Sequence, residues 1–246
     1  MLDLHVAERV HRVADAFVNW YLLEEPDGIT AVDAGLPKSW ESLLYALAST
    51  GRRLTDVRAI VLTHAHFDHV GFAERARREL GLQVWVHRDD AELARHPLRS
   101  RSERLPVRYM WRPQTLRVMG TFAAQGAFWA PRIADVRTFG DREKLPVPGA
   151  PVVVATPGHT LGHASLELPG RDAVITGDAL VTLDPYTGRR GPRLVARAAT
   201  ADSAKAWASL DRLAELDVTT VLPGHGDPWR EGMRAAVETA RVNGQA

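Results

Sequence analysis

The spacing of apolar positions changes along the chain, and each change marks an element. Residues 16–23 and 29–32 are short apolar runs joined by the turn Glu25-Pro26-Asp27-Gly28, which predicts two paired strands. Over residues 39–48 the period becomes helical, with Trp40, Leu43, Leu44 and Leu47 on one side and Ser39 placed to cap the helix. Residues 57–62 are rich in valine and isoleucine and read as a buried strand. A helix from about residue 72 to 80, a strand at 83–86 and a short helix around Ala91 follow. The second half repeats this style. Strands are expected at 152–155, 164–168 and 173–176, the last two joined by a Pro169-Gly170 turn. A helix at 201–216, a strand at 218–222 and a closing helix at 231–242 complete it.

One polar stretch fits neither a core nor an ordinary surface turn. His64, His66, Asp68 and His69 stand in Thr63-His64-Ala65-His66-Phe67-Asp68-His69-Val70-Gly71, beginning where the strand at 57–62 ends. Unpaired ionisable groups are costly inside a protein, so such a cluster calls for a metal. In locally extended chain His64 and His66 point the same way and can share one ion. Asp68 and His69 follow where the chain turns toward a helix, and so face a neighbouring position. Three further donors sit beside glycines, in Pro157-Gly158-His159-Thr160, Thr176-Gly177-Asp178 and Pro223-Gly224-His225-Gly226. The expected arrangement gives one ion His64, His66 and His159, and the other Asp68, His69 and His225. Asp178 can bridge them, having two oxygens. Imidazole and carboxylate donors suit Zn²⁺, and Fe or Mn is compatible with them. Every ligand follows a predicted strand, where loops gather and function concentrates.

On these residues the chain resembles the metallo-β-lactamase superfamily, the αββα hydrolases that include glyoxalase II, acyl-homoserine lactonases and tRNA 3′-processing nucleases. The H-x-H-x-D-H run is that family's signature, and His159, Asp178 and His225 complete its dinuclear set. Asn19-Trp20-Tyr21-Leu22 resembles the opening strand, and Ala31-Val32-Asp33-Ala34-Gly35 the second, where an aspartate supports the site. The resemblance implies an α/β fold, a four-layer αββα sandwich, as a single domain over residues 1–246 with a helical insertion at 95–132 near the mouth of the site. It implies a metal-dependent hydrolase with two divalent cations, whose bridging water ionises near roughly pH 7 and attacks as hydroxide. Asp68 is expected to orient that nucleophile or carry a proton to the leaving group. Asp33 is expected to accept the free ring N–H of a ligand histidine, and His163 to support the site without ligating. His5, His11, His87 and His96 carry no chemical signal.

Composition narrows the partners. Among 246 residues, 31 Lys+Arg against 30 Asp+Glu leave a net charge of +1, so no global field recruits nucleic acid or an anionic membrane. The absence of cysteine removes thiolate ligands and cysteine nucleophiles. The N-terminal residues show no signal pattern and no stretch is a membrane span, which makes the cytoplasm the expected compartment. A small-molecule substrate is the expected partner.

The segment 95–132 matches nothing in the family. Its aromatic and arginine content predicts one or two helices crossing the mouth of the site. Tyr109, Trp111, Phe122 and Trp129 are expected to line an acyl pocket, with Arg108 and Arg112 acting on anionic substrates. The alternative is an amphipathic pair whose aromatic side is buried in a homodimer. A β-lactamase proper would lack the aspartate at position 178. The lactonases carry a tyrosine three residues beyond that aspartate, where Val181 stands here, and Tyr186 is the nearest phenol to fill the role. Glyoxalase II has a longer part after its last ligand, and the tRNA nucleases carry a basic arm. An ester, thioester or lactone of a small, largely apolar acid is therefore the expected substrate. A phosphodiesterase or nuclease on the same site, and a di-iron redox or sensor protein, are the alternatives.

Overall fold

The computed structural model describes residues 1–245. Strands β1 (Leu2–Ala7), β2 (Val10–Asp15), β3 (Val18–Glu25) and β4 (Gly28–Val32) form an antiparallel meander. Helix α1 (Ser39–Ser49), strand β5 (Val57–Val61), helix α2 (Ala73–Leu80), strand β6 (Gln83–His87) and helix α3 (Ala91–Arg95) follow. Helix α4 (Pro113–Ala124) lies in the insertion, before strand β7 (Arg137–Phe139). The second half holds β8 (Val152–Ala155), β9 (Ala164–Leu168), β10 (Ala173–Gly177), β11 (Val181–Leu183), β12 (Arg190–Arg193), α5 (Ser203–Ala214), β13 (Thr220–Pro223) and α6 (Met233–Asn243).

Strands β1 to β7 form one sheet in sequence order, antiparallel as far as β4 and parallel beyond it. A second sheet has the order β13-β10-β9-β8. Alternation with period two sorts the side chains into layers. From β3, Trp20 and Leu22 join the core beneath α1 and α2, while Tyr21 and Leu23 join the core between the sheets. From β10, Ala173 and Ile175 face that central core, and Val174 turns to the core shared with α5 and α6. Three apolar layers between four layers of elements make an αββα sandwich.

Strands β1 and β2 escape the hydrophobic pattern because β2 buries polar residues. His11 lies 2.9 Å from Glu24, and Arg12 2.8 Å from Asp3, so paired polar side chains hold positions that apolar residues hold elsewhere. Ser39 does not cap α1 as its position suggests. It is the first helical residue, and its hydroxyl accepts from the Leu36 amide at 3.1 Å and donates to Asp15 at 2.8 Å.

The insertion carries α4 between short 3-10 turns at Pro106–Tyr109 and Ala127–Trp129. One face of α4, with Val118 and Phe122, packs on Val18 and Leu36 beside the site. Among the described residues no helix is long and apolar enough to cross a membrane.

Candidate metal centre

All seven donors expected as ligands meet at one edge of the sandwich. His64, His66, Asp68 and His69 occupy the loop after β5, His159 the loop between β8 and β9, Asp178 the residue after β10, and His225 the turn after β13. Every one is buried. His64, His66 and His159 bring one donor atom each within 4.8 Å of one another, and so do Asp68, His69 and His225. Asp178 spans the two trios. Its Oδ2 lies 3.3 Å from His159 Nε2 and 3.2 Å from His225 Nε2, and its Oδ1 lies 3.7 Å from His69 Nε2.

Hydrogen bonds fix which ring nitrogen His64, His69 and His225 offer. Asp33 is a carboxylate acceptor, so His69 Nδ1–H donates to it at 3.0 Å. The Thr63 hydroxyl gives its single proton to Asp33 at 2.9 Å and therefore accepts from His64 Nδ1 at 3.0 Å. His225 Nδ1 donates to the Phe17 carbonyl at 2.6 Å. In the neutral form of all three rings Nε2 is therefore the lone-pair nitrogen, as metal ligation requires.

The donors fit a pair of cations for a further reason. Nε2 of His64, His66, His69 and His159, with Oδ1 of Asp178, are buried without a hydrogen-bond partner. Buried polar atoms rarely go unpaired, and these all belong to the two trios or the residue between them. Asp33, His64 and His69 also cluster within 4.8 Å. That carboxylate already accepts from the Thr63 amide, the Thr63 hydroxyl and His69, so it supports the ligands and does not join them.

Charge divides the centre in two. Burial, reinforced by neighbouring imidazoles, holds His64 and His159 well below the ordinary histidine pKa. Burial also works against a proton on His69, but Asp33, Asp68 and Asp178 outweigh it and raise the ring to about 10 without metal. His225 is raised in the same sense, its burial outweighed by Asp178 and Asp68. For Asp178 burial would favour the neutral acid, yet His225 and His69 hold it well below the carboxylate range. Without metal the first trio is thus neutral imidazole, while the second holds protons on His69 and His225 beside its carboxylates.

The chain clamps these loops from behind. His163 Nε2 accepts from the Asp178 amide at 3.0 Å, so its Nδ1–H donates to Thr156 Oγ1 at 2.9 Å. Burial drives this ring's pKa down to about 3, which keeps it neutral and able to accept. Asn19 donates to the carbonyls of Pro223 and Gly226 at 2.9 and 2.6 Å, and Tyr21 to that of Pro223 at 2.7 Å, holding the His225 turn on β3. A Cβ at Gly224 would stand 2.2 Å from Asp178 Oδ1, so only glycine admits the carboxylate there.

Sequence reasoning missed Asp90. An aspartate one residue before a helix reads as a cap, but this carboxylate makes no cap bond to α3. It accepts instead from the Ala65 amide at 3.1 Å, the Thr160 hydroxyl at 2.7 Å and the Gly162 amide at 2.8 Å. It therefore ties the His64–His66 loop to the loop that carries His159.

A cavity of about 260 Å³, bordered by both polar and apolar side chains, opens beside Asp68, Asp178 and His225. Phe67, Leu98, Met119, Phe122, Tyr186 and Val195 are among its walls. Of the residues expected to line an acyl pocket, Phe122 and Tyr186 border it. Tyr109 stands behind, edge-on to Tyr186 with ring centroids 5.7 Å apart. Trp111 and Trp129 are 74% and 76% exposed and do not border the cavity. Arg108 is exposed, and the Arg112 guanidinium lies 5.0 Å over the Trp111 ring, so neither borders it. The register of α4 explains this. Residues 115, 118 and 122 form its buried face, while Trp111 and Trp129 lie outside the helix on exposed flanking segments.

Comparison with known proteins agrees with this geometry. The profile of the metallo-beta-lactamase superfamily matches residues 13–225. "Probable metallo-hydrolase YflN" of Bacillus subtilis is 26% identical over 237 residues, spanning 90% of this chain and 85% of that protein. The hydroxyacylglutathione hydrolase of Fuscovulum blasticum is 29% identical over 184 residues, which span 74% of this chain and 52% of that enzyme. The crystal structure of TTHA1623 in a di-iron-bound form superposes with a TM-score of 0.63 at 29% identity, over 92% of this chain and 94% of the other. The matched region runs from β2 through the last ligand, and the chain belongs to the metallo-beta-lactamase superfamily, as a metallo-hydrolase with a candidate dinuclear site.

Proposed function

We propose that the protein hydrolyses an ester, thioester or lactone whose acyl group is small and largely apolar, using two divalent cations, Zn²⁺ foremost. The observation that carries this reading is the apolar part of that cavity's wall, with Phe67, Leu98, Met119, Phe122 and Val195. Its aromatic and aliphatic walls end at Asp68, Asp178 and His225, so an acyl chain seated there has its carbonyl at the metal ligands. The relative named for hydroxyacylglutathione hydrolysis lends the thioester weight.

When bound, paired cations supply a nucleophile from water at neutral pH and polarise the acyl oxygen. The chain's own residues do the rest. Phe122 and Met119 exclude water from the acyl group. Burial and the charge of Asp68 push the Tyr186 phenol up, so it stays protonated and can donate to the carbonyl oxygen. Asp68 borders the same cavity, with Oδ2 3.6 Å from His225 Nε2, and in this reading carries a proton to the departing group.

The test sets metal-loaded protein against a panel of aryl esters, thioesters, lactones and a bis-aryl phosphate, with metal content measured alongside. Acyl substrates are expected to turn over, with loss on chelation and recovery on adding Zn²⁺ or Mn²⁺. Turnover of the phosphodiester alone would replace this reading with a phosphodiesterase. Acyl activity supported by iron alone would replace zinc, in line with the di-iron form of TTHA1623.

A further inference from the structure

Most of the large apolar side chains that stand open to solvent among the described residues are gathered in residues 98–129. Leu105, Val107, Trp111, Phe128 and Trp129 are each more than half exposed. The local structure holds them there. In the turn at Pro106–Tyr109 the Tyr109 ring turns inward, onto Ala196, Ala198 and Tyr186, and its neighbours Val107, Arg108 and Met110 are left outside. Helix α4 buries Thr115, Val118 and Phe122, so Leu116 lies on its outer face. In the turn after α4, Ala127 packs inward while Phe128 and Trp129 do not. A single exposed apolar residue needs no explanation, but a run of them marks an interaction.

Charge indicates what covers this face. Residues 98–132 hold seven arginines and one acid, Glu103, while the whole chain is only +1, so the remainder is net negative. Glu103 is committed elsewhere. It accepts from the Ser203 amide and hydroxyl, both at 2.6 Å, and its ion pair, at 4.0 Å, is with Arg197 outside the segment. Arg99, Arg101, Arg104, Arg108 and Arg117 are exposed, and none has a carboxylate within 4.0 Å among the described residues. The overall balance that gives the chain no global field thus conceals a local one. A second copy seated face to face on this segment would set arginines against arginines. An anionic lipid surface answers both features, since tryptophan settles at headgroup level and an arginine stem lies along apolar surface while its head meets phosphate.

We infer that the exposed face of the insertion docks on an anionic lipid surface, with Trp111 and Trp129 entering the headgroup region and the arginines meeting lipid phosphates. Leu98 is 54% exposed and also borders the cavity beside Asp178, so the mouth of that cavity adjoins the docking face. The inference does not depend on which bond the metal site cleaves.

Co-sedimentation of the full chain with vesicles tests it. Pure phosphatidylcholine is compared with a mixture in which about a third of the lipid is phosphatidylglycerol. Partition onto the anionic vesicles is expected to be stronger by roughly ten-fold or more, an advantage that declines as salt is raised. Arg104→Gln/Arg108→Gln should lower it by roughly five-fold for each cation removed. Arg78→Gln/Arg234→Gln makes the same change in net charge at exposed positions of α2 and α6, and should leave partition nearly unchanged. Trp111→Ala/Trp129→Ala should weaken partition at constant charge and remove the quenching of tryptophan fluorescence by brominated lipid. Every substituted side chain is exposed, so each variant should keep the parent's circular dichroism. Equal partition onto neutral and anionic vesicles, no partition at all, or an equal loss in the α2/α6 variant would overturn the inference. So would a dimer in solution that Trp111→Ala/Trp129→Ala breaks, which would give the face to a second copy.

Discussion

Replacing Asp33 by asparagine isolates the hydrogen-bond logic of the centre. The carboxylate takes three donors, the Thr63 amide at 2.8 Å, the Thr63 hydroxyl at 2.9 Å and His69 Nδ1 at 3.0 Å. An amide has one acceptor oxygen and one donor NH₂, so whichever way it turns its NH₂ faces a donor. With the oxygen kept on Thr63, the NH₂ meets His69, which can accept only by moving its proton to Nε2. That atom is the one His69 turns toward Asp68 and Asp178. Backbone strain is not the cause, because Asp33 sits at φ 63° and asparagine tolerates this left-handed region well. Loss of such a partner weakens metal binding by about 10- to 100-fold, or about 1.4–2.7 kcal/mol. Competition of metal-free protein with a chromophoric chelator measures this. The step assigned to Asp68, His69 and His225 is expected to weaken, and the step assigned to His64, His66 and His159 to change much less. Two unchanged steps, or equal weakening of both, would refute the assignment of His69's tautomer to Asp33.

Four further outcomes follow from the same geometry. Asp90→Ala leaves two buried amides and a hydroxyl without an acceptor, at about 1–3 kcal/mol each, so urea unfolding of the metal-free chain should show a loss of about 3 kcal/mol or more. Gly162→Ala should destabilise in the same direction, because its Cβ would stand 2.5 Å from the Asp90 backbone nitrogen. In the acyl-length series each added CH₂ is worth about 0.8 kcal/mol, or roughly four-fold, until the cavity is full; Phe122→Ala should flatten that slope, and Trp111→Ala, at 74% exposure, should not. Metal-free stability should depend on pH in both directions. His64, His159 and His163 have folded pKa values below 6.5, the last at about 3, so stability is present above 6.5 and lost as pH falls toward 3. His69 has its value raised to about 10, so its contribution is full below 6.5 and lost as pH rises to 10. Urea midpoints across that range check both signs.

The ligands were legible because metal chemistry leaves few substitutes. No other residue types place five imidazoles and two carboxylates just after strands, and each ligand loop carries its donor within a short contiguous motif. The strands flanking them were legible for a related reason. Residues 152–155 and 164–168 are short apolar runs with clear ends, and they form β8 and β9 with those bounds. Strands β7 (Arg-Thr-Phe) and β12 (Arg-Gly-Pro-Arg) were not, because three- and four-residue edge segments with polar side chains have no hydrophobic period to read. Asp90 stayed hidden for another reason: its role lies in donors 25, 70 and 72 residues away, and no local pattern encodes such a contact.

The insertion shows where such reading reaches its limit. Composition located aromatic residues and arginines near the site, but which of them face it depends on a helical register and on where the chain enters and leaves α4. The helix starts at Pro113, which puts Val118 and Phe122 inward and leaves Trp111 and Trp129 on flanking segments turned to solvent. Arg99 and Arg101 come earlier, exposed in the irregular stretch between α3 and α4 where no period operates. The edge that gathers the candidate metal donors is thus built from motifs that chemistry constrains tightly, and the cavity walls beside it partly from a segment constrained only by packing. Family resemblance therefore reaches the candidate metal donors and stops at the cavities. The cavity beside Asp68, Asp178 and His225, with Phe122 and Tyr186 in its wall, is the feature from which this chain's own substrate has to be argued.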